Sequence, residues 1–289
     1  DKRSARLSGG LVSRYGKLFL GSENGVVYAL NEANGEVLWQ TTVPGEVVAS
    51  PAVEDGRVVV LTTSGRLVAL DTDEGKLQWT LSEEQPPLTL RSAGAPIITN
   101  GAVIYGRADG KVGIALLSNG QPVRQSKVAD PRGATELDRM VDVDASPLIA
   151  GDELYAIAYN GQLMARKLMS GDEVWKRKYS GYRDMAVTGN AIVLTDSRSH
   201  LFAVDRRNGL ELWSNTQLEN RTVTAPVILG DYVVVGDVEG YLYWLDRTDG
   251  TIKAMQQLDS SGLYAAPLVE GDTLYVQSRD GKLYALKRP

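Results

Sequence analysis

The chain has 289 residues, with 31 Lys and Arg against 36 Asp and Glu, for a formal charge of −5. That balance excludes a general electrostatic grip on nucleic acid or on anionic lipid. It contains no Cys and a single His, His200. Disulfide scaffolds, thiolate metal sites, Cys nucleophiles and His-rich metal centres are therefore excluded.

Gly is abundant, at 30 residues, well above the usual share of about 7%, which points to many tight turns. No run of about 18 apolar residues is present, so no helical membrane span is expected. The first residue is Asp1. The chain is accordingly expected to be a mature or truncated product with N-terminal sequence missing.

Read in chain order, the sequence repeats. An 11-residue pattern ending in Trp appears as ALNEANGEVLW at 29–39 and ALDTDEGKLQW at 69–79. A degenerate copy at 114–124 has Ile114 for Ala and Arg124 for Trp. ARKLMSGDEVW at 165–175 and AVDRRNGLELW at 203–213 restore the pattern, and 244–254 carries Trp244 for Ala and Ala254 for Trp. A small residue followed by Pro recurs at Pro51, Pro96, Pro147, Pro226 and Pro267. A turn Gly opens a β-branched run at Gly16, Gly56, Gly101, Gly151, Gly189, Gly230 and Gly271.

Each unit of about 40 to 45 residues holds four short runs rich in Val, Leu and Tyr, bounded by Gly and Asp. Such runs predict strands. Four antiparallel strands repeated six or seven times predict an all-β fold, a β-propeller of four-stranded antiparallel blades. A solenoid of β-arches is the competing repeat, with shorter units. Gly35, Gly75, Gly120, Gly171, Gly209 and Gly250 are expected in turns between third and fourth strands, where a positive φ is needed. Asn31, Asp71, Asp205 and Asp246 are expected to bond turn amides. The repeated Trp is read as packing between blades, with the small Ala leaving room for it.

Six units run through a fourth strand, and the last stops after three. SGGLVS at 8–13 reads as the first strand of the first unit. The expectation is one propeller domain over 1–289, incomplete at its N-terminus, with open blade edges.

Function is sought where the repeat is broken. From the Trp position to the next Pro there are 12 positions for 39→51 and 13 for both 213→226 and 254→267. There are 17 for 79→96 and 23 for 124→147. The two lengthened connections are of one type on adjacent blades, so they are expected side by side on one face. The first, SEEQPPLTLRSAG at 82–94, contains Leu88, Leu90 and Arg91; if extended, its two Leu share a side. The second, at 127–146, contains Val141, Asp142, Val143 and Asp144. Alternation places both carboxylates on one side. With Arg91 they form an expected exposed rim for a basic or polar partner; solvated surface charge, or packing of the Leu pair under its loop, is the plain alternative. Asp142 and Asp144, even with Glu136 and Asp138, lack the spacing of a Ca²⁺ loop, and no nucleophile accompanies them. His200 is expected as an exposed turn residue.

The 11-residue pattern resembles the tryptophan-docking motif of eight-bladed quinoprotein-type propellers. PPLTLRSAGAP at 86–96, ATELDRMVDVDASP at 134–147, AYNGQLMA at 158–165, VWKRK at 174–178, VVGDVEGYLYW at 234–244 and DSSG at 259–262 resemble the BamB family of outer-membrane protein assembly lipoproteins. That resemblance implies an eight-bladed parent, with about six to seven blades here. It implies a non-enzymatic periplasmic scaffold of the β-barrel assembly machinery, without cofactor, that binds the POTRA domains of BamA alongside other subunits of that machinery. It implies a lipid anchor on the N-terminal Cys of the parent. Residues matching Leu88, Leu90, Arg91, Asp142 and Asp144 carry the BamA contact in that family. Capture of unfolded outer-membrane proteins by strand addition is a second reading. A quinone-cofactor dehydrogenase is a third, opposed by the absence of Cys and the short chain, and a generic periplasmic binding propeller is a fourth.

Overall fold

The structure is a computed structural model that describes residue 7 and residues 9–90 and 94–289. Its regular elements among those residues are all β-strands. Among the described residues, seven antiparallel sheets follow one another in sequence, six of four strands and one of three. Strands adjacent in sequence are adjacent in the sheet throughout. This is the β-propeller class, as the repeat predicted.

The residues divide into two compact units, Asp1–Pro147 with Ala156–Gly161, and Leu148–Tyr155 with Gln162–Pro289. In the first unit, one sheet comprises β1 (Val12–Arg14), β2 (Lys17–Gly21), β3 (Val26–Asn31) and β4 (Val37–Thr42). The next comprises β5 (Ala52–Glu54), β6 (Arg57–Leu61), β7 (Arg66–Asp71) and β8 (Leu77–Ser82). The third comprises β9 (Ile97–Thr99), β10 (Ala102–Gly106), β11 (Lys111–Leu116) and β12 (Pro122–Lys127). The remaining sheets lie within 148–177, 186–215, 227–257 and 268–286.

Inner strands such as β6 and β7 are buried on both faces, which is why they read as continuous Val and Leu runs rather than as alternation. The outer strand β8 does alternate from Trp79 onward, with Trp79 buried, Thr80 exposed, Leu81 half-buried and Ser82 exposed. Val59, Leu67, Ala69 and Trp79 of the second sheet pack with Val103, Tyr105, Ala115 and Leu117 of the third in one apolar cluster.

Each Trp of the repeat has the same task. Trp39 and Trp79 lie opposite Ala29 and Ala69 on the neighbouring strand, and a bulge follows each Ala. The indole Nε1 then donates to a carbonyl of the following sheet: Trp39 to Thr72 at 3.0 Å and Trp79 to Leu117 at 2.8 Å. In the second unit Trp175 reaches Arg206 at 2.7 Å and Trp213 reaches Arg247 at 2.9 Å. A Cβ added at Gly75 or Gly120 would fall 2.6 or 2.5 Å from the docked ring of Trp39 or Trp79. These glycines are needed twice, for that approach and for φ of +66° and +73°. Asn31, Asp71, Asp205 and Asp246 accept turn amides as expected. In the degenerate copy Trp244 and Ala254 are cross-strand partners, so large and small have traded places within one pair.

Candidate functional site

Both lengthened connections lie in the first unit. One runs from the end of β8 to β9, the other from the end of β12 to Pro147. The second has two parts. Residues 130–139 are exposed throughout. They are folded as a turn in which Thr135 and Asp138 bond reciprocally, Thr135 N donating to Asp138 Oδ2 at 3.2 Å and Asp138 N to Thr135 Oγ1 at 3.1 Å. That exchange is the geometry of a capping box. It lifts Leu137 to 63% exposure.

Residues 140–145 are buried instead. Their backbone is fastened to β10 and its following turn: Val143 N donates to the Arg107 carbonyl at 3.0 Å. Tyr159 N donates to the Asp142 carbonyl at 2.9 Å. Gly106 faces Val143 O so closely that a Cβ there would overlap it.

The first connection lies against this buried run. Leu90 N donates to Asp142 Oδ1 at 2.9 Å, and Ala95 N donates to Ser146 Oγ at 3.0 Å. Gly94 allows the approach, since a Cβ there would come within 2.7 Å of Asp144 O. The expected adjacency of the two connections is therefore met, through named bonds. Leu88 is 42% exposed and Leu90 half-buried. Arg91 lies outside the described residues.

The expected exposed acidic rim is not what the structure holds. Asp142 is 1% exposed and Asp144 7%, and Val141 and Val143 on the opposite side are equally buried. Alternation sorts residues by exposure only where one side meets solvent, and this segment is covered on both. Burial pushes the Asp142 carboxyl up to about 6, although the Leu90 amide works against it. Burial, reinforced by the charge of Asp142, pushes Asp144 up to about 7. Among the described residues, neither Asp142 Oδ2 nor Asp144 Oδ2 has a hydrogen-bond partner.

Both carboxyls line a cleft together with Leu90, Glu83, Tyr105 and Arg107. Its wall is a polar network that the sequence reading missed. Arg107 Nη1 lies 2.6 Å from Glu83 Oε2, and its Nη2 lies 2.9 Å from Asp109 Oδ2. Tyr105 OH donates to Glu83 Oε1 at 2.5 Å. Burial and that carboxylate both push the phenol upward. One signal was available: Arg107 follows its second strand where the other units carry Ser22, Thr62, Ala158, Asp196, Asp237 and Ser278. Leu137 was also missed, because an apolar residue within ELDR carries no mark of its exposure.

His200 corrects another expectation. Its side chain is only 15% exposed, with Nδ1 3.0 Å from Asp196 Oδ2 and Nε2 3.7 Å from Glu219 Oε1. The ring is held edge-on to Phe202. Among the described residues, no group of three or more His, Cys, Asp or Glu side chains could hold a metal ion.

A succession of Trp-docked sheets, departing from its repeat in two interlocked connections, defines the class of β-propeller proteins. A quinohemoprotein alcohol dehydrogenase from Comamonas testosteroni shares the fold, with a TM-score of 0.65 at 15% identity over 95% of this chain and 71% of that one. A family model described as outer membrane protein assembly factor BamB matches residues 2–215 and 216–288, and the chain belongs to that family. An outer membrane protein assembly factor BamB from Shewanella oneidensis is 45% identical over 226 residues, 78% of this chain and 57% of the relative. The chain thus spans little more than half the length of that curated relative. The crystal structure of BamB from Moraxella catarrhalis superposes with a TM-score of 0.92 at 26% identity, covering 98% of this chain and 85% of that one.

Proposed function

We propose that this chain is the docking part of a non-enzymatic adaptor in outer-membrane β-barrel assembly. Its partner is the POTRA region of BamA, met through the face built by Leu88, Leu90, Arg91, Asp142 and Asp144. It works at the periplasmic side of the outer membrane, within an assembly that holds its parent by a lipid anchor. The observation that carries this reading is the bond from Leu90 N to Asp142 Oδ1. It joins the two connections that break the repeat into one surface, and it leaves Leu88 projecting from that surface.

The physical task of such a face is recognition. An exposed Leu that becomes fully buried at an interface contributes about 1.5–3 kcal/mol, and a rigid backing spares the entropy of ordering its loop. The test is calorimetric titration of POTRA domains into Leu88→Ala and Leu88→Ala/Arg91→Ala. Affinity is expected to fall at least about tenfold with unfolding temperature unchanged. Wild-type affinity in both variants overturns the assignment.

A second reading is favoured by one observation. Among the described residues the sheet within 268–286 has three strands where the others have four, and its strand Leu283–Leu286 is the candidate for strand addition by unfolded barrel proteins. Crosslinks from nascent outer-membrane proteins to that edge, and not to 82–94 or 127–146, support it. A quinone-dependent dehydrogenase is tested by dye reduction with added cofactor and Ca²⁺; no turnover is expected.

A further inference from the structure

We infer that Asp142 and Ser146 are positioning residues: they pin the first lengthened connection from beneath, and the partner is touched by what they hold up. The inference rests on the docking reading above and divides its residues by role.

The argument begins with burial. A carboxylate that is 1% exposed cannot meet a partner without a rearrangement of the segment around it. That segment is tied down by Val143 N to Arg107 O and Tyr159 N to Asp142 O, and Gly106 leaves no slack beneath it. The run 140–146 is thus a fixed rail.

What the rail offers is hydrogen-bond acceptors. Asp142 Oδ1 takes the amide of Leu90 at 2.9 Å, and Ser146 Oγ takes the amide of Ala95 at 3.0 Å. The two bonds fall near either end of the stretch 90–95. The residues before it, Gln85 to Thr89, form no strand and have no ladder to hold them. Pro86 and Pro87 stiffen that approach. Side-chain acceptors therefore do here what a neighbouring strand does elsewhere in the sheets. Leu88, two residues before the first pin, is presented by it.

The role predicts a dependence on acceptor geometry rather than on charge. In Asp142→Asn the amide oxygen can still accept from Leu90; in Asp142→Ala nothing can. The experiment measures two quantities on the full chain: amide hydrogen exchange at Leu90 and Ala95 in the absence of partner, and affinity for BamA POTRA domains. Asp142→Ala is expected to speed exchange at Leu90 and to weaken affinity, each by at least about tenfold. Asp142→Asn is expected to stay within about threefold of wild type in both. Ser146→Ala, the milder change should Asp142→Ala fail to fold, is expected to speed exchange at Ala95 about threefold or more.

Equal loss of affinity in Asn and Ala variants, with Leu90 still protected in the Asn variant, overturns the inference, because the charge itself then meets the partner. Unchanged exchange at Leu90 in Asp142→Ala, or at Ala95 in Ser146→Ala, overturns it too. If Leu88→Ala binds like wild type while the exchange pattern comes out as expected, the docking reading fails and the pin stands.

Discussion

The indole Nε1 of Trp79 donates to the carbonyl of Leu117 at 2.8 Å, and the same ring occupies the space that a side chain on Gly120 would need. One side chain thus closes a gap between sheets and satisfies a backbone acceptor. Trp79→Ala is expected to cost about 3–5 kcal/mol. Trp79→Phe keeps the apolar body but strands the Leu117 carbonyl, at a cost of about 1–3 kcal/mol. Equilibrium denaturation separates the two; equal losses would show that the donor adds nothing.

The turn glycines should not all behave alike. Gly56 and Gly75 have φ of +70° and +66°, but a Cβ on Gly56 meets nothing within 4 Å, whereas one on Gly75 lies 2.6 Å from the Trp39 ring. Gly56→Ala is expected to cost about 1–2 kcal/mol from backbone strain alone. Gly75→Ala adds an overpacking cost of about 1–3 kcal/mol. Denaturation midpoints read the difference.

The buried carboxyls make stability depend on pH in a stated direction. Asp142 and Asp144 rise on folding from 3.8 to about 6 and about 7. Groups raised in this way bind more protons folded than unfolded, so the stability they confer is complete below about pH 4 and is lost as pH rises towards 7. Relative to Asp144→Asn, the wild-type chain is expected to lose stability between pH 5 and 7, by at most about 1.4 kcal/mol per pH unit. Denaturant titrations of both proteins at pH 5, 6, 7 and 8 measure the slope. A wild type that gains on the variant as pH rises contradicts it.

Leu137 gives a test away from the family's own positions. It is the exposed apolar tip of the second connection, held up by the Thr135 and Asp138 exchange. Leu137→Ser is expected to leave stability within about 0.5 kcal/mol and to weaken POTRA binding several-fold, with Thr135→Ala acting in the same direction through the turn. Surface plasmon resonance with immobilised POTRA domains checks both.

Much of this was legible in the residues. The Trp, Ala and Gly of the repeat marked the strand pairs and turns, because each is tied to a local demand: a bulge, a positive φ, a large body beside a small one. Counting positions between repeat markers found the two connections that meet in space. Their side-chain roles were not legible. Val141 to Asp144 alternate as though one side faced water, yet both sides are covered. His200 reads as a surface turn residue and is instead held beside Phe202.

The amino-acid sequence by itself determined the class of fold, the succession of blades and the place where the repeat is interrupted, since strand, turn and Trp docking rest on contacts near in sequence or repeated along it. The tertiary structure alone decided that the Asp142 carboxyl lies underneath and Leu88 on top. That choice depends on a contact between residues 52 positions apart, and no periodicity in either segment encodes which neighbour will cover it.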